Sequence, residues 1–235
     1  MLRLVDLTAA LLAVELILLV ATLSLLLQAR RESKGRRNLL EQMSHTARIV
    51  SRQEYFNSVH FVMQSATSSV KGSITGSAPT TPEQKDQVQA ITDRILMAKK
   101  RGVNIQYVVP KSSDRVVVAN KYREAGAEIR FHAGIIVSDL RYTIIDNNFT
   151  VLGLPSSVGE NQPTREGYVI PSGALAELFS RQFQASWEES TPYDHYLKEI
   201  ISETKNHNPN VTAQLLSSQL QIPESEVIRI DASNA

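Results

Sequence analysis

Apolar residues follow three patterns along this 235-residue chain. From Leu7 to Leu27 they run almost unbroken, with Glu15 as the charged residue in the run. A helix rises about 1.5 Å per residue, so about 20 apolar residues cross a hydrocarbon core of roughly 30 Å. The pattern predicts one membrane-spanning helix. It is too long and leucine-rich for a signal peptide, and no small-x-small cleavage site follows it, so it reads as a permanent anchor. Further on, helical spacing alternates with short apolar runs. Val88, Ile91, Ile95, Leu96 and Ala98 sit near helical spacing, Gly102 suits the helix end, and Val103–Val109 is a short strand. The same helix-glycine-strand unit returns in Ser113–Gly126 and Ala127–Phe131. Gln53–Val70 reads as a helix leading into a strand, and Arg165–Trp187 as a strand leading into a helix. Tyr142 and Ile144, then Val151 and Gly153, mark a hairpin that turns at Asp146-Asn147-Asn148. Alternating strands and helices predict an α/β sandwich.

Two flanking patterns complete the organisation. Residues 38–52 place Leu39, Leu40, Met43, Ala47 and Val50 on roughly one face, which predicts a helix or short stalk. Tyr193–Lys205 reads as a helix, Asn206–Asn210 as a break, and Val211–Leu220 and Pro223–Ile230 as two short helices, the second opened by its proline. The expected divisions are 1–37 as anchor with its basic flank, 38–52 as juxtamembrane stalk, 53–190 as the α/β domain, and 191–235 as a C-terminal helical extension.

Charge adds orientation. Arg30, Arg31, Lys34, Arg36 and Arg37 follow the apolar run against the single acid Glu32. The positive-inside rule then places the globular part in the cytoplasm and the chain in the cell membrane as a single-pass protein. The same cations favour anionic lipid headgroups, by about 1 kcal/mol each near the surface. Glu15 in the apolar run, with Ala9 and Ala13 as a small-xxx-small pair, points to helix pairing in the bilayer. The expected partners are therefore the lipid bilayer and a second copy. Lys+Arg 25 against Asp+Glu 24 gives a net charge of +1, so no broad basic field for nucleic acid is expected. The helix-turn-helix spacing near the C-terminus carries only Arg229 as a cation in its second helix. The chain has no cysteine, and its five histidines lack metal-ligand spacing; no metal and no cofactor are expected.

The candidate chemistry lies in Arg130–Ser157. One frame reads His132, Gly134 and Asp139. The other reads Asp139-Leu140-Arg141, four residues, Asp146, then Gly153-Leu154-Pro155-Ser156. Both resemble the signature of the phospholipase D superfamily, which is His-x-Lys, four residues, Asp, then about seven residues to Gly-Ser. Gln53–Val70, Val88–Val109 and Arg165–Trp187 resemble the family's opening helix and strand, its next helix and strand, and its closing strand and helix. The first frame keeps the histidine and aspartate without the lysine. The second keeps the spacing, a cation and the glycine, with Asp139 where the family has its nucleophile; the hairpin pattern favours it. The resemblance implies a histidine that attacks phosphorus and a lysine that holds the phosphoryl oxygens. Arginine can preserve phosphate binding, whereas aspartate cannot replace the imidazole. The family joins two signature copies at one site, within a chain or across a homodimer, and this chain has one copy. It also often carries an acid near the active histidine, which corresponds to Glu166. His132, Asp139, Arg141, Asp146 and Glu166 are therefore the site candidates. The expectation is a membrane-anchored, cytoplasmic, phospholipase D-like domain that binds or scaffolds rather than hydrolyses. The alternatives are a divergent phosphodiesterase working through a phosphohistidine at His132, and a DNA-binding regulator working through the C-terminal helices.

Overall fold

The computed structural model describes residues 48–134, 141–155 and 164–232. The expected anchor with Glu15 and its basic flank Arg30, Arg31, Lys34, Arg36 and Arg37 lies outside these residues, as does Asp139. Among the described residues no helix is long and apolar enough to cross a membrane.

The chain enters as strand β1 (Arg48–Ser51) and passes directly into helix α1 (Arg52–Ser65). Strand β2 (Ser69–Ser73), helix α2 (Pro82–Lys100), strand β3 (Asn104–Pro110), helix α3 (Val116–Glu124) and strand β4 (Glu128–His132) then form two consecutive βαβ units. Strands β5 (Arg141–Ile145), β6 (Phe149–Pro155) and β7 (Thr164–Ile170) run as an antiparallel meander. Helix α4 (Gly173–Glu188) leads to the short strand β8 (Thr191–Pro192) and helices α5 (Tyr193–His207), α6 (Ala213–Leu220) and α7 (Glu224–Ala232). All the strands join one mixed sheet in the order β1-β7-β6-β5-β2-β3-β4-β8, in which β2, β3 and β4 are parallel.

Of the segment 38–52, expected as a helix or short stalk, 38–47 lie outside the described residues, and Arg48–Ser51 form a strand rather than a helix. Ile49 and Val50 are β-branched, and β7 offers an edge with unmet backbone groups, so Ile49 pairs antiparallel with Tyr168 and Val50 with Gly167.

Helices cover both faces of the sheet. On one, α4 packs Phe179 against Tyr142 at 5.0 Å and sets Trp187 under the Arg130 guanidinium. On the other lie α1, α2, α3 and α5, whose apolar faces merge with Val70, Ile105, Tyr107, Val109, Ile129 and Phe131 into the main core. Local signals set the element ends. Thr81 and Gln84 form a reciprocal capping box with Pro82 in the first turn of α2. Gly102, at φ 85°, ends that helix in the left-handed region that the sequence pattern required. Asp146 and Asn147, at φ 50° and 53°, make the tight turn between β5 and β6.

Candidate functional site

Two glycines let tyrosines lie flat on the sheet. A Cβ on Gly153 would stand 2.9 Å from the Tyr55 ring, and one on Gly72 would stand 2.8 Å from the Tyr107 ring. Gly153 is the glycine of the second motif frame, and its role here is to admit a side chain from α1. Tyr55, Tyr107 and Tyr122 form the floor of a cavity of about 380 Å³, walled by α1, α2 and the segment Ile74–Pro79 that follows β2. Its lining includes Arg141 and Thr143 of β5 and the residues that follow β2, whose C-terminal end lies beside the start of β5 where Ser73 pairs with Tyr142. Open α/β sheets commonly bind ligands at such strand ends.

Arg141, the first residue of β5, lines this cavity beside Thr143 and is the charged side chain among its described lining residues. Burial pushes the Tyr55 phenol up to about 12, with the Arg141 cation acting in the opposite direction. The Tyr107 and Tyr122 phenols are also raised by burial, so all three stay neutral at ordinary pH. Arg115, 1% exposed, donates from its guanidinium to the Thr75 carbonyl and so holds the wall of the cavity from behind.

The remaining candidates are placed elsewhere. Asp146 sits at the hairpin tip, at the opposite end of β5 from Arg141. One of its oxygens accepts from the Thr67 N–H and hydroxyl at 2.8 and 2.9 Å. The other accepts from the Ser68 N–H and hydroxyl and the Ser69 N–H, at 2.8 to 2.9 Å. Burial acts to raise this carboxyl, but the hydrogen bonds outweigh it and hold the group well below the usual carboxylate range. Asp146 therefore ties the hairpin to the junction between α1 and β2.

His132 ends β4 at the same end of the strands as Arg141, but β5 and β4 are separated by β2 and β3. Three strand spacings are about 14 Å. The imidazole does not line the cavity. Its Nδ1 accepts from the Gly134 N–H at 2.6 Å, and its Nε2 faces a Glu189 carboxylate oxygen at 3.5 Å. That arrangement puts the ring proton on Nε2. A Cβ on Gly134, the residue at the lysine position of the first frame, would stand 2.5 Å from the ring, so a side chain there would displace the imidazole from this folded-back position. Glu166 pairs through its backbone with Leu154 and Ser51. The structure thus brings Arg141 into a cavity, and leaves His132 and Asp146 outside it.

Sequence reasoning passed over Tyr55, Tyr107, Tyr122 and Arg115. The available signal was the pairing of a strand glycine with tyrosines elsewhere in the chain, which becomes readable only once the strand order is known. Arg229 makes ion pairs with Asp194 at 2.9 Å and Glu226 at 2.8 Å. Among the described residues no three His, Cys, Asp or Glu side chains converge as a metal site.

No family model matches the chain, and no curated protein matches it in sequence. Among solved structures it is similar to Nuc from Salmonella typhimurium, a phospholipase D family member, with a TM-score of 0.49 and 20% identity over 63% of this chain and 97% of that one. It is similar to NucT from Helicobacter pylori with a TM-score of 0.46 and 16% identity, over 62% of this chain and 98% of that one. TrmBL2, an archaeal chromatin protein, shares a TM-score of 0.47 and 18% identity, over 70% of this chain and 64% of that one.

Proposed function

We propose that the chain is a phospholipase D-like domain, held at the membrane by the Leu7–Leu27 segment, that binds an anionic ligand through Arg141 and does not hydrolyse it. The observation that carries this reading is the cavity itself: it holds a guanidinium and phenols, while the His132 imidazole lies about three strands away and is engaged by Gly134 and Glu189. A phosphohistidine mechanism needs a nitrogen lone pair aimed at phosphorus next to the cation that holds the phosphoryl oxygens. In His132 the Nδ1 lone pair accepts the Gly134 N–H. Self-association would bring two Arg141 cavities into one assembly, in keeping with the single signature copy and the helix-pairing pattern at Glu15.

The test is hydrolysis of bis-p-nitrophenyl phosphate by the full chain in bilayer nanodiscs, beside His132→Ala. The expected result is no turnover above empty nanodiscs for either protein. Turnover that disappears in His132→Ala would overturn the reading and make the protein a phosphodiesterase of the first frame.

A further inference from the structure

We propose that the groove between α1, the start of β6 and the end of β7 docks on the lipid surface, with the Phe61 ring seated among the headgroups. This rests on the reading above that Leu7–Leu27 anchors the chain, and it names the face that the domain turns to the bilayer.

The first argument is the apolar surface that folding leaves in water. Helix α1 turns Tyr55, Val59 and Met63 into the main core. On its flank Asn57 with Phe61, and Ser58 with Val62, stand one helical turn apart and line a groove with Phe149, Val169 and Pro171. Phe61 is 71% exposed and Phe149 37%. A lone exposed ring is ordinary, but two rings in one groove with Val169 and Pro171 make a patch, and such patches mark contact surfaces. The second argument is the path of the chain. Arg48, the first described residue, pairs with Val169 of the groove, so the chain enters the domain at this patch. The 20 residues from Gln28 to Ala47 reach at most about 70 Å when fully extended, and any shorter path also suffices. Attachment to the anchor makes docking intramolecular, at an effective concentration on the order of millimolar. A surface held that close needs only a weak contact, of the kind one or two rings supply. The third is chemistry. Surface-lying helices set Phe and Leu about 5–10 Å into the boundary between headgroups and acyl chains. Asn57 and Ser58 beside the Phe61 ring offer neutral hydrogen-bonding groups to the same layer.

The experiment uses the full chain in phosphatidylcholine nanodiscs. The chain has no cysteine, so Asn57→Cys takes a nitroxide at a single site and leaves Phe61 in place. Gln182→Cys, exposed on α4 across the sheet, is the reference. Collisions with oxygen, which concentrates in lipid, and with a water-soluble nickel chelate report the surroundings of each label. The label at position 57 is expected to favour oxygen and the label at 182 to favour nickel. Phe61→Ser in the Asn57→Cys protein should shift the label back towards nickel, with circular dichroism unchanged. Four outcomes overturn the proposal. A label at 57 as open to nickel as the one at 182 leaves the groove in water. A label at 57 shielded from both reagents puts protein, such as a second copy, in the groove. A preference for oxygen that survives Phe61→Ser removes the ring from the contact. A chain that does not co-elute with nanodiscs sinks the anchored reading and this inference with it. Co-elution with an aqueous label at 57 sinks this inference alone.

Discussion

Asp146 shows how one residue can satisfy a motif's spacing and still serve the fold. Spacing from Arg141 picked it out, and the hairpin turn at Asp146-Asn147 was readable from the sequence. What spacing could not supply was the far partner, Thr67-Ser68-Ser69, whose backbone and hydroxyl donors converge on the carboxylate. Arg141 could be picked out by type and spacing, but its place in a cavity beside Tyr55 and Thr143 depends on the strand order. His132 was legible as a residue type only, since its fold-back onto Gly134 is a matter of backbone geometry. The Asp146 clamp makes a pH prediction with a definite sign. The native carboxyl lies below its ordinary value, so its stabilisation is fully present above the usual carboxylate range and is lost as pH falls through that range towards the native value. Asp146→Asn keeps one acceptor oxygen but turns an NH2 towards backbone and hydroxyl donors. It should cost about 1–2 kcal/mol at neutral pH, the lower end for charge-assisted bonds because the group is near the surface. Urea unfolding of the full chain at pH 7 and pH 3.5 checks it. The gap between wild type and variant should narrow at the lower pH, and an equal gap at both would sink the carboxylate account.

At the scale of elements, periodicity was a sound guide wherever an element has one buried stripe. Helices α1, α2 and α4 and the strands β3 and β5 to β7 all fall where apolar spacing put them. It failed at β1, whose few residues depend on an edge that only the finished sheet provides. The fit between α1 and the sheet depends on sterics that composition does not display: Tyr55 occupies the space a Gly153 side chain would need. Gly153→Ala should therefore destabilise the protein by about 1–3 kcal/mol, the usual cost of overpacking a well-filled site. Tyr55→Leu removes the ring and opens space at the same place. The double variant should lose clearly less than the sum of the two single variants, since residues in contact couple. Denaturation of the four proteins in one cycle measures that coupling. Simple additivity would mean that the glycine answers to the backbone rather than to the tyrosine.

Over the whole of the described chain, the residues after Ser190 belong to the core rather than trailing from it. Val211, Leu216, Leu220, Ile222, Val227 and Ile230 are buried in the same cluster as Phe131 and Tyr107. Tyr196 lies 4.4 Å from the Phe131 ring, and β8 adds a short strand beside β4. The sequence showed these helices but not their docking, because docking runs through side chains that look like ordinary surface charges. Arg123 on α3 donates to Glu226 on α7 at 2.5 Å and lies over the Tyr193 ring at 4.6 Å, and Tyr193 in turn donates to Asn120 at 3.0 Å. Lys205 and Asp231 close a second pair between α5 and α7. The first pair matters more, since the Glu226 side chain is only 12% exposed and the second pair is open to solvent on both sides. Glu226→Ala leaves the Arg123 cation half-buried without its carboxylate and should cost about 1–3 kcal/mol, whereas Asp231→Ala should cost less than about 1 kcal/mol. If the C-terminal helices share the core, urea should unfold the described domain in one transition, and Glu226→Ala should move that whole transition to lower denaturant. A second, earlier transition seen only by probes on α6 and α7 would instead make them a separately folding unit, and the shared core would then contribute little to the stability of the sheet.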